Sequence, residues 1–159
     1  RAVDQRVRAE PGLAEAELLP LQIEGARAGL PARVFPGDLE DIVANLLRNA
    51  YLASIDGLPP EERAVALLVE EDDDPITGFE LVALRFCDQA PGELTSAMIQ
   101  GRSIGRGLGL AVDLIARHNG SIDVEGEQGW RKAVVVRLPR AEGDDSDIVE
   151  VLVREEEEK

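Results

Sequence analysis

Two asparagines, Asn45 and Asn49, lie four residues apart in the apolar run "DIVANLLRNA" of residues 41–50. Residues at positions i and i+4 share one face of a helix, so the two amides would point the same way. Amide oxygens suit a hard divalent cation such as Mg²⁺, which keeps several waters and takes few protein ligands. A buried amide without a hydrogen-bond partner costs about 1–3 kcal/mol, so both side chains need partners. The alternative to a metal site is that both amides form hydrogen bonds with a neighbouring strand.

A carboxylate and a set of glycines form two further candidate clusters. Asp88 ends a predicted strand before the turn "QAPG", where it could accept a hydrogen bond from an exocyclic amine or cap the turn. Gly105, Gly107 and Gly109 lead into a helix, so backbone N–H groups and the positive end of the helix dipole could approach an anion. A flexible hinge is the alternative for these glycines. The sequence contains neither a Rossmann fingerprint nor a P-loop.

The asparagine pair needs a helix, and the apolar spacing predicts one over residues 38–55. Asp38 is the predicted N-cap, with Asp41 three residues later in a box-like arrangement. Six apolar residues form the predicted buried stripe of this helix: Leu39, Ile42, Val43, Leu46, Leu47 and Ala50.

The remaining elements are short strands and one further helix. The pattern predicts a helix over 108–120, ended by Asn119 and Gly120, and a short helix within 89–107. Extended segments are predicted over 18–25, 32–37, 64–71, 79–88, 121–126 and 132–139, with the last four paired as two hairpins. This order predicts an α+β fold, a two-layer α/β sandwich whose mixed, mostly antiparallel sheet carries about three helices on one face.

Composition narrows the classes of function. The chain has 159 residues, enough for one domain, and a net charge of −15 that argues against binding nucleic acid or an anionic membrane surface. Aromatic residues make up only 3%, so the core must be built from aliphatic side chains. Cys87 is the only cysteine and cannot form an internal disulfide, which fits a reducing compartment. No apolar stretch reaches the length of a membrane span.

The three clusters occur in a characteristic order. The run "NLLRNA", then "DQAPG", then "GRGLGLAVDLIARHNGSIDVE", resembles the ATP-binding domain of sensor histidine kinases, which belong to the Bergerat-fold ATPases. The resemblance covers about residues 30–139, and the three segments correspond to the N, G1 and G2 boxes of that family. It implies the same α/β sandwich, with ATP and Mg²⁺ as cofactors.

The resemblance also implies roles for individual residues. Asn49 would coordinate the Mg²⁺ that bridges the ATP phosphates, and Asn45 would position phosphate or its water network. Asp88 would accept a hydrogen bond from the adenine amino group, beside Ala90 and Gly92 in the adenine pocket. The G2 segment would approach the phosphates through Gly105, Gly107, Leu108 and Gly109. Phosphate charge could be met by Arg48, Arg102 and Arg106, each of which could equally face solvent.

Three departures from the family pattern bear on the affinity for ATP. Ala90 replaces the first glycine of the G1 box, which would cost on the order of 1 kcal/mol if the position needs a positive φ. The segment between Gly92 and Gly105 is short and lacks a phenylalanine box, so the lid over ATP should be small. Leu52 stands where many of these kinases carry a lysine or arginine.

The type of reaction follows from the residue at position 45. Hydrolysing relatives place a glutamate there as the general base for water, and the neutral amide of Asn45 cannot take a proton. The expected reaction is therefore phosphoryl transfer to a histidine on a separate dimerisation domain, with a downstream response regulator as the next partner.

His118 lies beside a helix stop and is predicted to be a structural or surface residue. A cytoplasmic location is expected, with no direct membrane contact.

The chain is predicted to consist of one domain with a segment on either side. Residues 1–17 are predicted to be an N-terminal stub or linker from a dimerisation helix, and 18–140 the kinase domain. Residues 141–159 are predicted to be an acidic tail or linker, with "DIVEVLV" as an extra strand. The alternative function is a degenerate module that binds nucleotide weakly or not at all and acts as a protein-interaction platform.

Overall fold

A five-stranded mixed sheet forms one layer of the structure, a computed structural model that describes residues 2–25, 32, 34–92, 94–100 and 106–140. The strand order is β1-β2-β3-β5-β4. β1 pairs parallel with β2, and all other neighbours are antiparallel. The strands are β1 (Gln22–Gly25), β2 (Val65–Asp73), β3 (Glu80–Asp88), β4 (Ser121–Glu127) and β5 (Trp130–Pro139).

Four helices and one 3₁₀ turn complete the described chain: α1 (Ala2–Arg8), α2 (Pro36–Gly57), the turn Pro60–Glu62, α3 (Ser96–Gln100) and α4 (Arg106–Arg117). α1, α2 and α4 share one hydrophobic core with the side chains of alternate strand positions. The predicted α+β sandwich is therefore confirmed. Among the described residues of the predicted extended segment 32–37, only Ala32 pairs, in an isolated bridge with Arg140, and Pro36 already belongs to α2. The tail strand predicted within 141–159 lies outside the described residues.

The two predicted hairpins are confirmed, and each closes at a glycine with a positive φ. In the β2–β3 turn Gly78 has a φ of 75°, and Asp74 accepts hydrogen bonds from the N–H groups of Ile76 and Thr77. In the β4–β5 turn Gly129 has a φ of 86°. A side chain at either glycine would be strained, so these turns fix the strand register from local sequence.

The core lies between the helices and one face of the sheet. On β3 the side chains of Val82, Leu84 and Phe86 are buried on the helix-facing side, as the alternation of a strand requires. All six residues of the predicted stripe on α2 are buried. This burial sets the rotation of α2 about its own axis, because turning the helix would expose the stripe.

The start of α2 differs from the prediction. Phe35 is the N-cap, with Pro36 in the first turn, and no side chain caps the helix. Pro36 suits this position since its fixed φ is helical and it has no N–H to satisfy. Asp38 therefore lies inside the helix, where its carboxylate faces the Nε2 of His118 at 2.7 Å. His118 acts as a structural residue that ties the end of α4 to the start of α2, in line with its predicted role.

The N-terminal segment packs against α2. Val3, Val7 and Leu13 are buried in the main core. Tyr51 of α2 donates a hydrogen bond to Asp4, and Arg8 donates to the Tyr51 hydroxyl (3.0 Å). Burial and the neighbouring carboxylate raise the pKa of Tyr51, so the hydroxyl stays protonated. The predicted division at residue 17 and the origin of residues 1–17 in a dimerisation helix stay predictions.

The other face of the sheet carries a small cluster under charged side chains. Cys87 is fully buried there beside Ala83 and Ala133, and burial raises the pKa of its thiol to about 12. Above the cluster Arg85 pairs with Glu70 and Glu125. Trp130 packs on the edge of this cluster. Among the described residues no helix is long and apolar enough to cross a membrane.

The predicted helix stop at Asn119 and Gly120 is present in a specific form. Asn119 takes the left-handed conformation with a φ of 61°, and the Gly120 N–H donates to the carbonyl of Ile115 (2.9 Å). This is a Schellman ending in which asparagine supplies the left-handed residue. Gly120 is needed for a different reason: a Cβ there would lie 2.7 Å from the Arg137 carbonyl oxygen and 2.8 Å from Leu138 Cδ2.

Gly120→Ala should therefore destabilise the protein by about 1–3 kcal/mol, because backbone and core atoms must shift to admit the methyl group. The measurement is chemical denaturation at neutral pH. Gly126→Ala is the matched control in the same hairpin, since a Cβ at Gly126 has nothing within 4 Å and its φ is not positive. Equal stability of the two variants would contradict the close packing at Gly120.

Candidate functional site

Asn45 lies on α2 with only 9% of its surface exposed. Its Nδ2 donates to the carbonyl of Asp41 (2.8 Å), and its Oδ1 accepts from Nη1 of Arg48 (2.7 Å). Both halves of the amide are therefore satisfied within one helix. The alternative that this asparagine bonds to a neighbouring strand is wrong, because α2 itself supplies the partners.

Asn49 lies one turn further along α2 and is partly exposed. Its side-chain amide has no hydrogen-bond partner among the described residues. A partly exposed amide is solvated in this state, so a ligand could replace water there without breaking a protein contact. Among the described residues the two asparagines thus differ: the amide of Asn45 is engaged by protein atoms, whereas that of Asn49 is partly exposed and has no protein partner.

The start of α4 lies directly against Asn45. A Cβ at Gly107 would be 3.1 Å from Asn45 Oδ1 and 4.0 Å from Arg48 Nη1, so the glycine permits this close approach. The structure therefore brings the asparagine cluster and the glycine segment together. The positive end of the α4 dipole lies beside the Asn45–Arg48 pair.

The glycine segment is more helical than predicted. α4 begins at Arg106, two residues before the predicted start, so Gly107 and Gly109 belong to its first turn instead of a flexible bend. Glycine is less favourable than alanine inside a helix, by about 1 kcal/mol. The proximity of Asn45 explains this choice at Gly107. Leu108 is buried in the core, and Gly105, Arg102 and the side chain of Arg106 lie outside the described residues.

Arg48 is held from its other side by Glu10, which follows α1. Nε and Nη2 of Arg48 donate to the two carboxylate oxygens at 2.6 and 2.5 Å, a bidentate geometry. These hydrogen bonds lower the pKa of Glu10 and raise the pKa of Arg48. The sequence reasoning missed Glu10, because no spacing relates it to Arg48 and only the packing of α1 on α2 places it there.

Asp88 ends β3 and is 2% exposed. Its Oδ1 accepts from the Ala90 N–H (2.9 Å) and from Nζ of Lys132 (2.8 Å), which also donates to the Ala90 carbonyl (3.3 Å). The predicted turn cap is thus present, together with an ion pair that the sequence reasoning missed. Lys132 lies directly opposite Asp88 in the pairing of β3 with β5, a contact between distant strands that the predicted hairpins do not include.

The turn after Asp88 carries less strain than its sequence suggested. Among the described residues Asn119 is the only non-glycine with a positive φ. The φ of Ala90 is therefore negative, and replacing glycine by alanine at this position causes no backbone strain. Ala90 is buried, whereas Gly92 is exposed, and a Cβ added at Gly92 would have nothing within 4 Å. Pro91 meets the end of α2: a Cβ at Gly57 would be 2.8 Å from its Cδ.

α2 therefore connects two parts of the candidate site. Near its middle Asn45 and Arg48 meet the start of α4, and at its end Gly57 meets the turn that follows Asp88. At a rise of 1.5 Å per residue, Asn45 and Gly57 are about 18 Å apart along the helix. The first part combines amides, a guanidinium and a helix N-terminus, which suits an anion; the second combines a buried carboxylate with a lysine.

Solved structures with the same fold are catalytic domains of histidine kinases. The catalytic domain of the histidine kinase ThkA matches with a TM-score of 0.59 at 14% identity, over 87% of this chain and 90% of that chain. The ATP-binding domain of PrrB from Mycobacterium tuberculosis matches with a TM-score of 0.59 at 19% identity, over 89% and 90%. Full-length ShkA in complex with AMPPNP matches with a TM-score of 0.51 at 20% identity, over 88% and 30%.

These matches establish that the chain has the fold of histidine kinase catalytic domains. At these identities the likeness concerns the fold alone. No protein-family model matches the sequence, and no curated protein matches it. A function must therefore be inferred from the residues of this chain.

Glu10→Gln should lower the stability at pH 7 by roughly 0.2–1 kcal/mol, because the partly exposed pair with Arg48 loses the charge of its carboxylate. The folded pKa of Glu10 lies below its ordinary value of 4.5, so this stabilisation is present above that pH and is lost as the pH falls through the folded pKa. Denaturation curves at pH 7 and near pH 3 measure it.

The difference between Glu10→Gln and the parent should shrink at the lower pH, because protonation of the Glu10 carboxylate removes the charge that the variant lacks. Glu15→Gln, which removes an exposed carboxylate from the same segment, is the control and should leave the stability unchanged at both pH values. A constant deficit across the pH range would show that Glu10 acts through packing and not through its charge.

Proposed function

We propose that this chain is the ATP-binding catalytic domain of a sensor histidine kinase. It would hold Mg-ATP for phosphoryl transfer to a histidine on a separate dimerisation domain. The observation that carries the proposal is the approach of Gly107 to Asn45, which joins the N-box and G2-box residues inside a histidine kinase catalytic fold. Asn49 lies one helical turn from that contact with its amide open to a ligand.

In this proposal the phosphates lie at the start of α4. The helix dipole and the Arg48 guanidinium would attract the phosphate charge, and Asn45 would keep Arg48 oriented through its Oδ1. The side chains of Arg102 and Arg106, together with Gly105, Leu108 and Gly109, are proposed to complete the phosphate end. An anion at Arg48 would compete with Glu10, whose ion pair with Arg48 is partly exposed to solvent and would therefore be readily exchanged.

The Asn49 side chain would bind the magnesium ion. Among the described residues no group of three or more His, Cys, Asp or Glu side chains could hold a metal, so the donor set here is an amide oxygen. That set fits Mg²⁺, which commonly binds through one or two protein oxygens, substrate phosphates and water. When bound, the ion would neutralise charge on the phosphates during transfer.

The base would lie near the end of α2, at Asp88, Ala90 and Gly92. Asp88 is a hydrogen-bond acceptor at the end of a strand, which suits the exocyclic amine of adenine. Ala90 is unstrained, so the loss of a glycine at that position does not by itself argue against a base site. The exposed Gly92 leaves that side of the turn open.

Residue 45 favours transfer over hydrolysis. The Asn45 amide is neutral, and both of its polar atoms are engaged with Asp41 and Arg48. It cannot take a proton from water, so ATP would be held until another nucleophile arrives. The nucleophile would be a histidine of a dimerisation domain in the same or a partner chain, and the phosphoryl group would pass to a response regulator in the cytoplasm.

A second candidate function, a degenerate interaction platform, is favoured by two contacts. Arg48 is paired with Glu10, and Asp88 is paired with Lys132, so two proposed ligand contacts have internal partners. A site whose polar groups are satisfied internally gains less from a ligand than an open one. Binding measurements separate this function from the kinase.

Mg-ATP should raise the melting temperature of the domain. Saturation at one hundred times the dissociation constant adds about 2.7 kcal/mol, which corresponds to a rise of several degrees. Asn49→Ala and Asp88→Ala should abolish the rise, whereas Gln128→Ala, which removes an exposed amide from the β4–β5 turn, should retain it. The absence of any rise at millimolar Mg-ATP would favour the platform.

The isolated chain should not release phosphate steadily from Mg-ATP, because it lacks a general base at position 45. A coupled phosphate assay under the conditions of the thermal shift measures this directly. Sustained turnover that Asn49→Ala eliminates would contradict the proposed transfer role and would identify a hydrolysing ATPase.

A further inference from the structure

Lys132 is placed by the sheet register at the proposed base end of the site. It lies opposite Asp88 on the neighbouring strand β5, and both positions alternate with core residues, Phe86 on β3 and Val134 on β5. The two side chains are therefore on the helix-facing side of the sheet. They are well buried, with 11% of the Lys132 side chain and 3% of the Asp88 side chain exposed.

The Lys132 ammonium donates to the same carboxylate oxygen that a nucleobase would use as its acceptor. Its Nζ lies 2.8 Å from Asp88 Oδ1, which also accepts the Ala90 N–H at 2.9 Å. Two donors already converge on this oxygen, and Lys132 is further held by the Ala90 carbonyl. A nucleobase that donates to Oδ1 must displace the ammonium. A nucleobase that donates to Oδ2 meets a carboxylate whose negative charge Lys132 already compensates.

The competition favours the lysine over adenine. The Lys132 ammonium and the Asp88 carboxylate carry opposite full charges, so their contact adds a Coulomb attraction that the neutral exocyclic amine of adenine cannot supply. Burial strengthens the ion pair further, since little water is present to screen it. The ammonium is also a donor beside the carboxylate acceptor, so it could bond to the carbonyl oxygen that guanine carries in place of the adenine amine.

We propose that Lys132 is a specificity-determining residue of the nucleotide site. By holding Asp88 it weakens the binding of adenine nucleotides, and by offering a donor it narrows the preference for adenine over guanine. This inference rests on the proposed function, since it assigns Asp88 to base binding. Lys132 does not touch the phosphates in this account, so the chemistry of transfer is unaffected.

Titrations of Mg-ATP and Mg-GTP into the parent chain and into Lys132→Thr test the proposal. Threonine suits a strand, keeps a small donor beside Asp88 and leaves room for water. The dissociation constant for Mg-ATP should fall at least tenfold in Lys132→Thr, and the ratio of GTP to ATP dissociation constants should rise at least tenfold. Arg131→Thr is the control, because it removes an exposed cation from the adjacent position and should change neither value.

Lys132→Gln guards against a folding defect in the first variant, since its amide can still donate to Asp88 without a charge. It should shift both values in the same direction as Lys132→Thr. If the parent and both variants bind Mg-ATP with equal affinity and equal preference over Mg-GTP, the role of Lys132 is overturned while the proposed function stands. If neither nucleotide binds to any of these folded proteins at millimolar concentration, the proposed function is overturned as well.

Nucleotide binding by the variants alone, with none by the parent, would support both the site and its restriction by Lys132. Weaker binding of Mg-ATP by Lys132→Thr and Lys132→Gln than by the parent would overturn the inference, because it would show that the ammonium assists the base.

Discussion

The burial of one face of α2 is the constraint on which the rest of the structure depends. Its apolar stripe packs against the sheet, and exposing a single such side chain would cost about 1.5–3 kcal/mol. The rotation of the helix is therefore fixed, and Asn45 and Arg48 fall on the border that meets the start of α4. The approach of Gly107 to Asn45 follows from that rotation, as does the partial exposure of Asn49. The positions of the polar residues in the candidate site thus follow from the packing of the core.

The sequence predicts those parts of this arrangement that local chemistry controls. Alternating strands, the stripe of α2 and the ending at Asn119 and Gly120 all follow from periodicity or from backbone preference, and all are present. The N-cap was wrong because a proline at the first turn, Pro36, starts the helix without a side-chain cap. The start of α4 was wrong for a tertiary reason, since the glycine that disfavours a helix is required by the proximity of Asn45. Helix propensity depends on the local sequence and therefore cannot predict a contact between two helices.

The residues that sequence reasoning missed, Glu10 and Lys132, share a physical origin. Each is the counter-charge of a residue that the motifs did identify, and each is brought into place only by tertiary packing or strand register. A chain with a net charge of −15 offers a carboxylate partner to almost any cation. A ligand with negative phosphates must therefore exchange existing ion pairs at Arg48 and not simply add to an empty cationic surface. Motif spacing identifies the polar atoms but carries no information about this competition.

The two ion pairs resist exchange to different degrees, and this difference assigns them different roles. The Arg48–Glu10 pair is about one-third exposed, and pairs of that kind contribute about 0–1 kcal/mol, so phosphate could displace Glu10 with little loss. The Asp88–Lys132 pair is buried, and leaving one member of such a pair alone costs about 3–5 kcal/mol. The proposed phosphate end could therefore exchange its ion pair for a ligand at little cost, whereas the proposed base end resists such an exchange. In the proposed nucleotide site, affinity and base preference would therefore be set at Lys132, while the phosphate end would supply attraction that any nucleoside triphosphate shares.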